Sequence, residues 1–283
     1  MGRRRIEGAR MLITGASQGI GRALAEAAAR RGVRLLVVAR SEHLLTELVR
    51  KVRAEGGTIH PVLGDITSPE DRQKMVEAAQ RHFGGLDVLI NNAGIGATGH
   101  LTEASPDRLR KIFEVNFFGT SETTRALLPL LREGNTPAIL NISSIAGRCG
   151  IPARGDYSAS KFAVQGFSEA LRAELAKDGI DVLLVNPGLT QTNFSKNMLE
   201  QKAKMQLDHM RGMTSEQVAE ATLRAVERGT YDVTLTLRGK LMVLVNRFFP
   251  WVIDFFARRK VRQLFADEIA ERERQKAERP AAR

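Results

Sequence analysis

The feature that most restricts the fold of this chain is an alternation of short apolar runs with longer segments of helical periodicity. It extends from Ala9 to Asn186 and contains six strand-like runs, namely Met11–Thr14, Leu35–Ala39, Thr58–Val62, Val88–Asn91, Ala138–Ile142 and Val182–Asn186. Strands buried on both faces of a parallel sheet have continuous apolar runs rather than alternating ones. The pattern therefore predicts an α/β fold, a doubly wound parallel sheet with helices on both faces.

Three segments predict helix N-termini. Ser68 and Ser105 each precede a proline, which is the arrangement of an N-cap followed by proline at the first helical position. Thr214 and Gln217 have the spacing of a capping box before the run 218–226. These starts support alternating helices and strands.

The size and composition are those of an ordinary globular protein. A chain of 283 residues can form a single α/β domain. Its one cysteine, Cys149, cannot form an internal disulfide, which suits a reducing compartment. The first ten residues lack an apolar signal segment, and no run of eighteen apolar residues occurs. These features predict a cytoplasmic protein.

The net charge of +11 points to an anionic partner. Nucleic acid, an anionic membrane surface and a polyanionic cofactor are all compatible with this charge. Aromatic residues make up 5% of the chain and no nucleic-acid-binding motif is visible, so we expect no nucleic acid partner. A basic surface that only aids solubility is a further alternative.

A glycine-rich turn links the first strand to the first helix. Gly15 permits a tight turn, Gly19 lets backbone N–H groups approach phosphates, and Gly21 lets the helix lie close to the sheet. A helix N-terminus at this point favours a pyrophosphate. The turn therefore predicts a dinucleotide site.

The spacing G-x-x-x-G-x-G resembles that of the short-chain dehydrogenase/reductase family rather than the long-chain dehydrogenases. The resemblance extends from about Arg10 to Gly239 and implies a Rossmann-type sheet with a nicotinamide cofactor. It also implies that the turn contacts this cofactor through Gly15, Ser17, Gln18, Gly19, Ile20 and Gly21.

The end of the second strand indicates which nicotinamide cofactor is bound. A carboxylate there would bind the ribose hydroxyls of NAD, but this chain has Ala39 and Arg40. A guanidinium offers paired donors and an opposite charge to a 2′-phosphate. Ser17 resembles a phosphate contact of NADP-binding relatives. We therefore expect NADP(H).

Further cofactor contacts are implied by the family resemblance. Asp65 resembles the aspartate that contacts adenine, and the segment from Asn91 matches the family's NNAG motif. Asn91 could serve either the structure or the cofactor. The remaining expected contacts are Ile66, Asn92, Ala93, Gly94, Pro187, Gly188, Thr190 and Thr192.

Tyr157 and Lys161 are the expected centre of the chemistry. Four residues apart, they share one face of a helix. Carbonyl reduction requires a proton for the developing alkoxide. A neighbouring ammonium, together with the positive charge of the oxidised nicotinamide, favours the phenolate and should lower the pKa of the phenol. The resemblance implies that Lys161 also holds the nicotinamide ribose and that Tyr157 contacts the cofactor.

Two further residues complete the expected catalytic set. Ser144 stands where the family has its catalytic serine and could donate to the substrate oxygen, although Ser143 is adjacent. Asn116 matches the family's asparagine that anchors a water next to the lysine, with helix bending or capping as the alternative. The five histidines lack metal-ligand spacing, and we expect no metal.

Two segments depart from the strand–helix alternation. Residues 188–213 are polar and weakly periodic, typical of either a mobile substrate lid or a connecting loop with a surface helix. We predict a domain over residues 1–239 and a helical extension over 240–283. Residues 241–260 combine aromatic side chains with a basic cluster, which suits peripheral membrane contact, a roof over the substrate pocket or a subunit interface.

The sequence as a whole predicts hydride transfer between NADP(H) and a carbonyl or alcohol on a hydrophobic molecule. Lipid-like, steroid-like and acyl-like substrates are all compatible. The resemblance implies a homodimer or homotetramer, formed through the helices that begin near Ser105 and Asp156. The alternatives are an NADP(H) sensor without turnover and a membrane-associated interaction protein on the same fold.

Overall fold

A parallel sheet of seven strands forms the centre of the protein. The computed structural model describes residues 4–204 and 212–277. The strands of the sheet are β1 (Arg10–Thr14), β2 (Arg34–Ala39), β3 (Ile59–Leu63), β4 (Val88–Asn91), β5 (Ala138–Ile142), β6 (Asp181–Asn186) and β9 (Asp232–Thr234). Their order in the sheet is β3-β2-β1-β4-β5-β6-β9. The predicted doubly wound fold is confirmed, and all six predicted strands are present with boundaries within one residue of those expected.

The helices around this sheet are α1 (Gly19–Ala29), α2 (Glu42–Ala54), α3 (Pro69–Phe83), α4 (Arg108–Phe113), α5 (Thr120–Arg132), α6 (Gly155–Glu174) and α7 (Ser215–Arg228). The Ser68 side chain accepts a hydrogen bond from the Asp71 backbone at the start of α3. Thr214 and Gln217 form the predicted capping box of α7. After Ser105, however, α4 begins without a side-chain cap.

Alternate side chains of each strand enter two apolar clusters, one on each face of the sheet. Met11 packs with Leu24 of α1 and Leu223 of α7, whereas Leu12 packs with Met75 of α3 and Leu127 of α5. Burial on both faces explains why the strands read as continuous apolar runs.

The strand order reverses between β1 and β4. The chain proceeds from β1 to β3 on one side and from β4 to β9 on the other. Ligands of open α/β sheets bind in the crevice that this reversal creates at the carboxyl ends of the strands. The glycine turn after β1 and the segment after β4 both lie at this crevice.

The segment after β6 is more regular than its sequence suggests. It contains strand β7 (Thr190–Gln191), which pairs with β8 (Met213–Thr214), and a 3-10 helix over Ser195–Asn197. Gln201 forms an isolated bridge with Thr98. Residues 205–211 of the predicted lid lie outside the described residues.

The C-terminal extension consists of α8 (Leu237–Phe248), α9 (Pro250–Leu264) and α10 (Ala266–Ala277). The predicted boundary at residue 239 falls inside α8, because Thr236 caps this helix by accepting a hydrogen bond from Gly239. Among the helices of the described residues, none has the length and apolar character needed to cross a bilayer.

Candidate active site

The glycine turn has the backbone geometry that close approach of a ligand requires. Gly15 and Gly19 have φ values of +67° and +57°, in the left-handed region that favours glycine. A Cβ atom on Gly21 would lie 2.2 Å from the Gly15 carbonyl oxygen. Gln18 precedes α1 without making a side-chain capping bond. The first N–H groups of α1 therefore face the crevice without a side-chain cap, which fits a phosphate.

Asn92 connects this turn to β4. Its Nδ2 donates to the carbonyl oxygens of Thr14 at 2.9 Å and Gly15 at 3.1 Å. The backbone N–H groups of Asn92 and Ala93 both donate to the Thr14 hydroxyl at 3.1 Å. A Cβ atom on Gly15 would lie 2.8 Å from the Ala93 Cα. The two segments therefore fix each other at the position where a dinucleotide would cross the strand ends.

Asn91, whose role the sequence left open, lies in the core. Its Nδ2 donates to the Thr124 hydroxyl and to the Asn141 side-chain oxygen, both at 2.9 Å. The Asn141 amide in turn donates to the Ser168 hydroxyl. Asn91 therefore joins β4 to β5 and α5.

Arg40 and Asp65 form the rim of the crevice next to β2. The Arg40 side chain is 67% exposed, and its Nη1 lies 3.4 Å from the Asp65 carboxylate. The other carboxylate oxygen of Asp65 accepts hydrogen bonds from the backbone and hydroxyl of Thr67, both at 2.9 Å. Asp65 is thus held in place, whereas Arg40 has one long, exposed ion pair, which contributes little to stability.

Tyr157 and Lys161 lie one turn apart near the start of α6. Lys161 is 5% exposed, and its Nζ donates to the Ile142 carbonyl oxygen at 2.9 Å. This Nζ lies 5.9 Å from the centre of the Tyr157 ring. The end of β5 therefore holds the ammonium beside the phenol.

Burial has a large effect on both groups. It lowers the pKa of Lys161 to about 8, because the charged form loses its hydration. Burial also raises the pKa of Tyr157, while Ser144 and Arg154 act in the opposite direction. Desolvation outweighs both lowering effects, so the pKa of the phenol is raised in this structure. The lowering of this pKa by Lys161 together with an oxidised nicotinamide stays a prediction.

The two adjacent serines have different surroundings. The Ser143 hydroxyl donates to the Lys161 carbonyl oxygen of α6 at 3.3 Å, and Ser143 is 3% exposed. The Ser144 hydroxyl accepts from the Ala146 backbone at 3.1 Å and interacts with the Tyr157 phenol. Ser144 is therefore the serine whose hydroxyl lies beside the phenol.

Asn116 lies in a π-helical turn over Glu114–Gly119, between α4 and α5. Its side chain accepts from the Ile95 backbone at 2.8 Å and donates to the Ile95 carbonyl oxygen at 2.9 Å. It also donates to the Ser160 hydroxyl at 2.9 Å. Single π turns are frequent at functional sites. Here the turn lets one amide join the segment after β4 to α6.

One cleft of about 600 Å³ contains nearly all of these groups. Asn116 and Gly21 lie behind its wall. The other sequence-predicted residues line it, namely Gly15, Ser17, Gln18, Gly19, Ile20, Arg40, Asp65, Ile66, Asn92, Ala93, Gly94, Ser144, Tyr157, Lys161, Pro187, Gly188, Thr190 and Thr192. The structure thus brings the dinucleotide turn and the Tyr157–Lys161 pair into one space.

The cleft also contains residues that the sequence did not predict, among them Phe194, Met242 and Arg154. The Phe194 ring lies 5.7 Å from the Tyr157 ring, centre to centre. Met242 reaches the cleft from α8, and Arg154 from the turn before α6. No sequence motif marks these positions, because each depends on how a distant or irregular segment folds over the crevice. Met242 supports the pocket-roof alternative for α8.

Comparisons with known proteins agree with this geometry. The family model described as short chain dehydrogenase matches residues 9–203. The chain is 39% identical, over 66% of its length and 66% of the relative's, to a 3-ketodihydrosphingosine reductase of Bacteroides thetaiotaomicron.

Two solved structures have the same fold. A short-chain dehydrogenase/reductase of Burkholderia phymatum in complex with NAD has a TM-score of 0.79 and 27% identity, covering 86% of this chain and 94% of its own. A short-chain dehydrogenase of Burkholderia cenocepacia in complex with NADP has a TM-score of 0.77 and 29% identity, covering 90% and 99%. A nicotinamide cofactor is therefore supported, and the chain is an oxidoreductase that belongs to the short-chain dehydrogenase/reductase family.

Proposed function

We propose that this oxidoreductase uses NADP(H) to interconvert a carbonyl and a primary or secondary alcohol on a hydrophobic substrate. The observation that carries the proposal is the shared cleft, in which Tyr157, Lys161 and Ser144 face the same space as the glycine turn and Arg40. A general acid and a dinucleotide site in one cleft are what hydride transfer to a carbonyl requires.

Each polar side chain has a distinct task in this proposal. The bound cofactor supplies the hydride. The Ser144 hydroxyl donates a hydrogen bond to the substrate oxygen and stabilises the charge that develops there. The Tyr157 hydroxyl gives its proton to that oxygen in reduction and takes it back in oxidation. Lys161, held by the Ile142 carbonyl, places a positive charge beside the phenolate that remains.

Asn116 acts as a positioning residue. Its bonds to Ile95 and Ser160 tie the wall of the cleft to α6. A Cβ atom on Gly94 would lie 3.2 Å from the Asn116 side-chain oxygen and 3.6 Å from the Lys161 Nζ. The glycine thereby leaves the amide and the ammonium close together behind the cleft.

The preference for NADP(H) rests on Arg40. Its ion pair with Asp65 is long and exposed, so the guanidinium can turn to a 2′-phosphate at little cost. Ser17 lines the same end of the cleft and offers a hydroxyl. Hydrogen bonds to charged groups contribute about 1.5–3 kcal/mol each, which corresponds to roughly tenfold or more in affinity.

A hydrophobic substrate fits the lining around Tyr157. The apolar side chains there are Ile95, Ile145, Ile151, Leu189, Phe194 and Met242. The relative from Bacteroides thetaiotaomicron is named for a reduction of 3-ketodihydrosphingosine, which supports a ketone substrate with an apolar chain.

The test is a screen of NADPH oxidation against aliphatic ketones and aldehydes, with NADH beside it. We expect turnover with NADPH and a kcat/KM at least about tenfold lower with NADH, because NADH lacks the 2′-phosphate to which the Arg40 guanidinium would bind. Arg40→Ser should remove most of this preference and leave turnover with NADH unchanged. Equal use of both cofactors by the wild type would contradict the proposed NADP(H) preference.

A surface of α8 and α9, which we call the aromatic face, supports contact with an anionic membrane. Its exposed side chains are Leu241, Leu244, Phe248, Phe249, Trp251, Phe255 and Phe256. The segment 241–262 has five basic residues and one acidic residue, Asp254, which pairs with Arg258. Aromatic and basic side chains on one helical surface are typical of interfacial helices.

We therefore propose that the aromatic face binds anionic lipid. Trp251→Ser with Phe255→Ser should abolish co-sedimentation with vesicles of phosphatidylglycerol and phosphatidylcholine, while the wild type sediments. Reduction of a short, water-soluble ketone should be unaffected, because both side chains lie outside the cleft. Wild-type protein that stays in the supernatant would disprove membrane contact.

A further inference from the structure

Arg154 is the one basic residue of the cleft beside Tyr157 that the proposed mechanism does not use. It precedes α6 by one position and stands three residues before Tyr157. Its side chain lines the cleft together with Ile151 and Phe194. It therefore lies where a substrate, rather than the adenosine end of a cofactor, would bind.

Within residues 4–204 and 212–277, Arg154 makes no side-chain hydrogen bond or ion pair. Burial lowers the pKa of this guanidinium, and Tyr157 is the group that acts in the opposite direction. Other buried or half-buried arginines have partners, either a carboxylate, as Arg108 has Asp156, or a carbonyl oxygen, as Arg72 has that of Ile66. Partly removing a charge from water without pairing it is costly, so Arg154 lacks the compensation that these arginines have.

The turn before α6 holds Arg154 in place. Ala153 has a φ of +58°, which non-glycine residues rarely adopt and which is a source of backbone strain. The Ala153 carbonyl accepts a hydrogen bond from Gly99 at 2.9 Å, and the Arg154 N–H donates to Ile151 at 3.0 Å. Strain of this kind persists only where the surroundings impose it. The turn thus fixes the backbone position from which the Arg154 side chain extends into the cleft.

We infer that Arg154 binds an oxyanion of the substrate, a carboxylate or a phosphate, so that the carbonyl compound reduced beside Tyr157 is an anionic one. A guanidinium offers paired donors to either group. Arg154 and Tyr157 line the same cleft, and each shifts the pKa of the other, so the two groups lie close together. The oxyanion therefore lies a few bonds from the carbonyl, and the apolar lining accepts the rest of the molecule.

The inference rests on the proposed function for its carbonyl, but the binding of the anion can be measured without turnover. The probes are decanoate, decyl phosphate and the neutral 1-decanol, titrated calorimetrically into protein saturated with NADP. Wild-type protein should bind at least one of the two anions about tenfold to a hundredfold more tightly than the alcohol. The anion that binds more tightly identifies the source of the oxyanion.

Variants separate a direct contact from a general effect of charge. Arg154→Met should reduce the affinity for the anion to that for 1-decanol, and Arg154→Lys should restore part of it. Arg125→Met is the matched control, because the Arg125 side chain is 77% exposed on α5 and lies outside the cleft. Equal affinity of the wild type for anions and alcohol, or no loss in Arg154→Met, would overturn the inference.

A kinetic comparison excludes a role limited to the pKa of Tyr157. With 4-oxodecanoate and its methyl ester, Arg154→Met should raise the KM for the acid by about tenfold or more and leave the KM for the ester unchanged. Any change in kcat through the pKa of Tyr157 should be the same for both compounds. An unchanged ratio of the two KM values in the variant, with only kcat and the pH profile altered, would assign Arg154 to Tyr157 and contradict anion binding. If neither compound is reduced although the anions bind, the result contradicts the proposed carbonyl reduction but supports the anion site at Arg154.

Discussion

Replacing Tyr157 with phenylalanine is expected to lower kcat/KM for carbonyl reduction by about 10²- to 10⁴-fold, the usual contribution of a positioned general acid. The ring would keep its contact with Phe194, so the cleft should keep its shape. The alkoxide that forms as hydride arrives would, however, lack its proton donor. Steady-state rates of NADPH oxidation and a fluorescence titration of NADPH measure the two effects separately, and the affinity for NADPH should not change.

The second tyrosine provides the matched control. Tyr231 precedes β9 and its ring packs against the Arg172 guanidinium. Tyr231→Phe makes the same chemical change outside the cleft and should leave kcat/KM unchanged. Full activity of Tyr157→Phe would remove the phenol from the mechanism. Loss of NADPH binding together with activity would instead indicate a damaged site. A normal affinity without turnover also separates the enzyme from an NADP(H) sensor, which would not depend on the phenol.

Replacing Gly21 with alanine is expected to weaken NADPH binding by at least about tenfold and to destabilise the fold by about 1–3 kcal/mol. The new Cβ would lie 2.2 Å from the Gly15 carbonyl oxygen and 2.5 Å from the Asn92 amide nitrogen. The Gly15 oxygen belongs to the turn that would receive the pyrophosphate, and the Asn92 amide donates to that turn, so α1 must move away from both. Calorimetric titration of NADPH and urea unfolding measure these effects.

Gly166→Ala is the matched control, because the added Cβ atom makes no close contact there. Gly166 lies within α6, and a Cβ atom there would meet nothing within 4 Å. Gly166→Ala should therefore leave NADPH binding unchanged and stabilise the protein by about 0.5–1 kcal/mol, because alanine loses less conformational entropy in a helix. If Gly21→Ala bound NADPH as tightly as the wild type, the turn would not be the phosphate site.

The six longer strands could be predicted because burial on both faces of the sheet requires a continuous run of apolar residues in the sequence. Residues 35–39 of β2 and 182–185 of β6 are buried between the two layers of helices, so their side chains are apolar without interruption. Strand β9 has three residues, none of them fully buried, and therefore its sequence has no continuous apolar run. The start of α8 at Leu237 depends on its cap, Thr236, which accepts from Gly239, and no apolar run marks this start in the sequence.

The site could be predicted where its residues are neighbours in sequence. The glycine turn and the Tyr157–Lys161 pair depend on local geometry, namely a strand–turn–helix and one helical turn. The positions of Arg154 and Met242 depend on a strained turn and on how the C-terminal helices pack, and neither has a local sequence pattern. The direction of the pKa shift of Tyr157 likewise depends on burial, which only the fold determines.

The central claim is that hydride passes directly from NADPH to a carbonyl held beside Tyr157. The most direct test is a reaction with NADPH deuterated at the transferable position of the nicotinamide, using ketones that the screen identifies and mass spectrometry of the alcohol. We expect one deuterium on the carbinol carbon of the wild-type product and almost no labelled alcohol from Tyr157→Phe. Unlabelled alcohol, or equal yields of labelled alcohol from both proteins, would contradict the account.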